Sequence, residues 1–176
     1  MSSIPGTHTL GPDNATLTIR TQKGGAAAKA AHNLVIEVTS WQGTLELGAE
    51  RKVSLTADAR SMRVREGSGG MMTLGDEERA SIEQTIDEEV LKGSVISFES
   101  SSVKGDGDRL EVSGELELAG RHAPIVFELT LADGRVTGTA TVKQTDWGIK
   151  PYSALFGTLK VLDEVQVGID GSLNGA

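Results

Sequence analysis

The chain has 176 residues, enough for one domain with a sizeable buried core. Hydrophobic residues make up 38% and aromatic residues only 3%, so its interior would be lined by valine, leucine, isoleucine and alanine. Seventeen basic against 25 acidic residues leave a formal charge of −8, which repels nucleic acid and anionic membrane surfaces, and the absence of cysteine excludes disulfides and thiolate metal sites.

Residues 1–8, Met-Ser-Ser-Ile-Pro-Gly-Thr-His, carry neither a basic leader nor an apolar run, and no later stretch reaches the roughly 18 apolar residues of a membrane span. A cytoplasmic protein without stable membrane insertion is expected. Thr7 to Leu10 and Thr16 to Thr21 read as a hairpin around Gly11-Pro12-Asp13-Asn14, four residues that favour turns. Gly24 to Ala31 is small and alanine-rich and reads as a helical turn. Strand composition returns over Leu34 to Trp41, Gly43 to Leu47 and Lys52 to Ala59, where Val53, Leu55, Ala57 and Ala59 face one way. The alternation breaks at Ser61.

Ser68-Gly69-Gly70 opens a loop toward the one convincing helix, expected over residues 76–91. Asp76 is its N-cap, Glu77 and Glu78 complement the positive end of the dipole, and Gly93 stops it. Ile82, Ile86 and Val90 form its inward stripe, leaving Glu83, Asp87, Glu88 and Glu89 as a solvated face. Strands follow over Val95 to Val103, Arg109 to Leu118, Ile125 to Leu131, Arg135 to Lys143 and Glu164 to Leu173. The turns between most of these are too short for parallel crossovers, so neighbours pair antiparallel. Between the last two strands lies Asp146-Trp-Gly-Ile-Lys-Pro-Tyr-Ser153, which holds one of two tryptophans and the only tyrosine. Strands with one wet and one apolar face, and a single sizeable helix, predict an all-β fold. It is an antiparallel barrel of about eight strands with the helix packed on or across it.

Chemistry-bearing motifs are scarce. His8, His32 and His122 show no metal-ligand spacing, and His122 reads as an exposed turn residue. There is no Gly-x-Ser-x-Gly elbow and no phosphate loop. No catalytic residue, metal or cofactor is therefore assigned. The interior remains, and strand alternation alone leaves open whether it is filled by side chains or holds a guest. An aliphatic void costs roughly 24 cal/mol per Å³. At about 0.8 kcal/mol per buried carbon, three or four isoprene units would offset the ~4–15 kcal/mol cost of association.

Several stretches together resemble the YceI-like family. They are Thr-Val-Lys-Gln-Thr-Asp146-Trp147-Gly148-Ile149, Gly157-Thr-Leu-Lys-Val-Leu-Asp163-Glu164-Val165 and Gln-Val-Gly-Ile-Asp170. Val112-Ser-Gly114-Glu-Leu116-Glu-Leu118-Ala-Gly120 with Pro124-Ile-Val-Phe127 is similar to the family's central hairpin, and Ser97-Phe98-Glu99-Ser100 to the strand after its helix. The resemblance runs from about Thr7 to Leu173. It implies an extended lipocalin-like barrel over one domain, residues 1–176, whose apolar pocket holds long-chain isoprenoid lipids of polyprenyl or quinone type, without catalysis. Carried over by position, the family's aspartate-aromatic-glycine step falls on Asp146, Trp147 and Gly148.

The expected partner is thus a long-chain isoprenoid or similar lipid, with no nucleic acid, and the reading leaves room for a homodimer. Strand parity selects the lining positions. These are Ile36 and Val38, Leu45 and Leu47, Leu55, Phe98, then Leu110, Val112 and Leu116, Phe127 and Leu129, Val142, and Val167 and Ile169. Trp147 either joins them or serves as a core ring at a strand end. His32, Lys150 and Tyr152 are the candidates to meet a polar head at the mouth. The competing readings are a protein-interaction barrel with a filled core and an enzyme on a lipid substrate, for which His32 is the only nameable titratable group.

Overall fold

The computed structural model describes residues 6–21, 23–24, 33–47, 50–68, 80, 83–84, 95–105, 108–149, 153–154, 159–161 and 163–173. Fourteen strands run through them: β1 Thr7–Leu10, β2 Ala15–Arg20, β3 Lys23–Gly24, β4 Asn33–Val38, β5 Trp41–Leu47, β6 Arg51–Asp58, β7 Met62–Ser68, β8 Val95–Lys104, β9 Arg109–Leu118, β10 Arg121–Ala132, β11 Arg135–Lys143, β12 Ser153–Ala154, β13 Leu159–Val161 and β14 Glu164–Ser172. Eleven form one antiparallel sheet in the order β1-β5-β6-β8-β9-β10-β11-β14-β2-β4-β7, and β12-β13-β3 form a small second sheet.

The ends of the large sheet are halves of the same chain segments. β5 pairs with β6 from Trp41↔Ala57 to Leu47↔Arg51, and β4 pairs with β7 from Val38↔Met62 to Asn33↔Ser68. Residues 33–47 and 51–68 are therefore one long bent hairpin whose two halves lie at opposite ends of the strand order. The sheet closes on itself. At the bend, the Thr39 N–H donates to the Ser61 carbonyl at 2.9 Å and the Asp58 N–H to the Ser40 carbonyl at 3.0 Å, so pairing continues through the corner. Asp58 caps the 3-10 turn Ala59–Ser61 by accepting from the Arg60 N–H at 2.8 Å. That bond, then the Arg60 guanidinium, holds the exposed Asp58 carboxyl below its ordinary value.

Merging β1 with β2, β4 with β5 and β6 with β7 leaves eight long strands, a lipocalin-like antiparallel barrel. The first merger corrects the expected hairpin. Thr7↔Glu46 and Leu10↔Gly43 on β1, and Leu17↔Val38 and Arg20↔Val35 on β2, place both antiparallel to the same continuous segment, so they run in one direction. Residues 11–14 do turn, but as a bump inside one strand. The Asn14 side chain holds it, accepting from the Gly11 N–H and donating to the Thr9 carbonyl, both at 2.9 Å. The pattern break expected at Ser61 is likewise only the short 3-10 turn, after which Met62 and Val64 resume the buried alternation.

True two-residue hairpins occur where Ala119-Gly120 and Asp133-Gly134 join β9 to β10 and β10 to β11, with φ of 50° and 80°, and 52° and 74°. Consecutive positive φ values match the right-handed twist of the flanking strands. His122 sits on β10, not in a turn, and is exposed there. Pro124 is tolerated within β10 because the pairing with β11 begins only at Glu128↔Thr139.

Lys23–Gly24 pairs with β13, so Gly24 belongs to a strand; residues 25–31 of the expected helical turn lie outside the described residues. So does most of the expected helix 76–91, of which Ala80, Glu83 and Gln84 are described and helical. Glu83 is not merely solvated: its carboxylate accepts from the Val64 N–H at 2.8 Å, on the outer side of β7 at the end of the strand order. An otherwise open strand edge is thereby covered.

Candidate binding interior

Antiparallel pairing fixes which side chains share the inner face. The register Leu10↔Gly43↔Leu55↔Phe98↔Leu116↔Ala123 runs round one part of the barrel, and Leu110↔Leu129↔Gly138↔Ile169↔Leu17↔Val38↔Met62 round another. Every residue in both rows is uncharged. The positions selected by parity lie on this face, and two groups emerge among them. Ile36, Val38, Leu45, Leu47, Phe98, Leu110, Val112, Leu116, Leu129, Val142 and Trp147 are buried. Leu55, Phe127, Val167 and Ile169 pack against that core yet are only partly buried, as are Ile19, Val53 and Ile125 on the same face. These half-buried apolar side chains are the part of the inner face that the buried core leaves accessible. His32, Lys150 and Tyr152, the mouth candidates, lie outside the described residues.

One wall is shaped by a residue that carries no side chain. Gly114 interrupts the inward run of β9, and a Cβ there would stand 2.2 Å from the Glu99 carbonyl oxygen and 2.7 Å from Phe98 Cζ. The missing side chain lets the Phe98 ring approach Phe127, with centroids 5.3 Å apart and planes tilted by 58°.

Trp147 closes the barrel beside this wall. It ends the 3-10 turn Gln144–Trp147, which follows β11 and stops at Gly148 in the left-handed conformation, φ 72°. Asp163, just before β14, clamps the turn by accepting from the Thr145 N–H at 2.9 Å and the Thr145 hydroxyl at 2.6 Å. The indole is 2% exposed, and its N–H donates to the buried Leu116 carbonyl at 2.6 Å. Of the two roles open to Trp147, the geometry is that of a fully bonded core ring at a strand end.

Trp41 is different, and parity reasoning passed over it. It begins β5 on the inner face opposite Ala57, is 7% exposed, and its Nε1–H is the one buried side-chain nitrogen or oxygen among the described residues without a hydrogen-bond partner. An orphaned buried donor costs on the order of 1–3 kcal/mol. The composition signals only that tryptophan is scarce; that this one lacks a partner depends on neighbours distant in sequence.

The outer wall offers less chemistry. Ser97, Glu117 and His122 lie in register across β8, β9 and β10, with the Ser97 hydroxyl 3.2 Å and His122 Nε2 3.8 Å from Glu117 Oε1. The carboxylate stands between serine and imidazole, so the histidine cannot take the serine proton and no nucleophile is activated. A concavity of about 850 Å³ crosses the outer faces of β2, β14, β11 and β10. Thr16, Thr18, Thr130, Thr137 and Thr139 line it, with the Arg135–Asp170 ion pair. Its walls are polar, unlike the interior. Among the described residues no group of three His, Cys, Asp or Glu side chains could hold a metal, and no helix is long and apolar enough to cross a membrane.

Comparison with known proteins places this geometry. No curated protein sequence matches the chain. Among solved structures, Burkholderia cenocepacia BcnA superposes with a TM-score of 0.65 at 16% sequence identity, covering 89% of this chain and 94% of that one. A mutant CJ YCEI protein made for nanotechnology applications superposes with a TM-score of 0.55 at 13% identity, over 77% of this chain and 81% of that one. Both share the barrel. Residues 9–173 match the family model of the YceI-like domain, and the chain belongs to the YceI-like family.

Proposed function

We propose that the protein is a non-catalytic carrier or sensor, a single domain that holds a long-chain isoprenoid of polyprenyl or quinone type, or a similar amphiphile, inside its barrel. One observation carries the reading: the inward face of the sheet is aliphatic and uncharged along its paired rows, yet Leu55, Phe127, Val167, Ile169 and their neighbours keep accessible surface. Such a surface is satisfied by an apolar guest and by little else. Contacts would be dispersion and desolvation, so affinity rises with chain length until the interior is full. Family membership supports the same class of guest.

Binding in this form needs no acid, base or nucleophile. The buried wall positions hold the shape, the half-buried ones touch the guest, and His32, Lys150 and Tyr152 are proposed to meet its polar end at the mouth. The test is to purify the protein without detergent, extract it with organic solvent, and compare the extract with the intact mass under native conditions. A stoichiometric long-chain isoprenoid is expected. A protein that comes empty and refuses added polyprenols and quinones has a filled core, and the interaction-barrel reading replaces this one.

A further inference from the structure

We infer that the indole N–H of Trp41 is the polar anchor of the interior, donating a hydrogen bond to an uncharged oxygen, a carbonyl or a hydroxyl, on the guest. The inference rests on the reading that the interior takes an amphiphile, and it puts Trp41, in place of the mouth residues His32, Lys150 and Tyr152, as the partner of the head oxygen. The donor is buried and unpartnered. A phenylalanine would fill much of the same space without an orphaned polar atom, so packing alone does not account for the nitrogen. The chain also satisfies such a group where it can, since the Trp147 N–H has the Leu116 carbonyl at 2.6 Å.

The edge of the Trp41 ring away from the donor is packed against the sheet. A Cβ on Gly43 would lie 3.4 Å from Trp41 Cζ3, so the six-membered ring rests over that glycine and the nitrogen edge of the indole lies away from it. The paired residue across β6 is Ala57, and Ala59 follows in the buried turn. Beyond them Leu55 is one of the half-buried positions of the inner face. Small residues at positions 43, 57 and 59 are compatible with a guest's oxygen at this donor.

Charge selects the kind of oxygen. Leu10, Gly43, Leu55, Ala57 and Ile96, which adjoin Trp41 in the pairing, carry no cation to balance a phosphate or carboxylate. An anion placed there would lose its hydration without compensation. The head is therefore neutral, as in a quinone, an alcohol or an ester.

The test uses the delipidated full chain and three probes with the same isoprenoid tail: a benzoquinone, the oxygen-free hydrocarbon, and the monophosphate. The wild type is expected to bind the quinone about tenfold more tightly than the hydrocarbon, a difference of 1.4 kcal/mol, and the phosphate more weakly than the quinone. Trp41→Phe should bind quinone and hydrocarbon equally. The chain has two tryptophans, so a ¹⁵N spectrum shows two indole N–H signals, and only that of Trp41 should shift downfield with the quinone and stay put with the hydrocarbon. This reading needs no variant to fold. A quinone preference that survives Trp41→Phe, tighter binding of the phosphate, or an unmoved Trp41 signal overturns the anchor while leaving the carrier reading standing. Refusal of all three probes by the wild type overturns both.

Discussion

The two tryptophans sit on the same inner face and do opposite things. Trp147 is bonded into its surroundings: the N–H bonds to Leu116, the turn is clamped by Asp163, and Gly148 supplies the left-handed residue that ends it. Trp41 lies over Gly43 and opposite Ala57, and its N–H bonds to nothing. A ring that is fully bonded is part of the wall, whereas a ring with an unused buried donor costs stability in the empty protein and regains it only when something else arrives. On the proposed reading the barrel has one region finished by the chain itself and one left for a guest.

Substitutions can break this contrast. The largest effect is expected from Trp147→Ala, which removes a buried aromatic and orphans the Leu116 carbonyl; a loss of about 3–5 kcal/mol should appear in denaturant unfolding. Close behind is Gly114→Ala. Its Cβ would meet the Glu99 carbonyl oxygen at 2.2 Å, where backbone must yield, and about 1–3 kcal/mol of stability should be lost together with the Phe98–Phe127 contact. Trp41→Phe sharpens the contrast by its sign. Removing the orphaned donor should leave the empty protein as stable as the wild type or more so, where Trp147→Phe destabilises it by about 1–3 kcal/mol.

Smaller effects lie outside the interior. Ala119 adopts φ of 50°, a conformation that asparagine accepts more readily, and Ala119→Asn should raise stability by about 0.5–1 kcal/mol. Asp58 contributes least. Because its folded-state carboxyl titrates below its ordinary value of 3.8, the stability it adds is present above that value and is lost as pH falls through the folded one. Asp58→Asn should therefore flatten only the acid limb of a stability–pH profile, measured by thermal unfolding.

Much of the barrel is legible in the sequence because a strand's side chains alternate with a period of two, so Leu110, Val112 and Leu116 announce their face without any knowledge of their partners. The two-residue turns at Ala119-Gly120 and Asp133-Gly134 are equally local. What escapes is decided by pairing at a distance. Gly-Pro-Asp-Asn at residues 11–14 prefers a turn whether the flanking strands face each other or, as here, lie end to end along residues 33–47. The continuity of residues 51–68 through a 3-10 turn is hidden for the same reason, since only the bonds across Thr39 and Ser61 reveal it. Glu83 reads as one acid among several on a helix until β7 presents it with the Val64 N–H. Trp41 shows the limit most plainly. Its parity is readable, but its missing partner is a property of the whole barrel.

The central claim is that the interior has room for a chain-like guest, and filling that room tests it most directly. Val167→Trp places a larger side chain at a half-buried inward position. Native mass spectrometry of delipidated wild type and variant, each offered the same long-chain quinone, should show one molecule bound to the wild type and none to the variant, while thermal unfolding shows the empty variant within about 1 kcal/mol of the wild type. A variant that binds as the wild type does, or one that unfolds because the space was already full, would contradict the account.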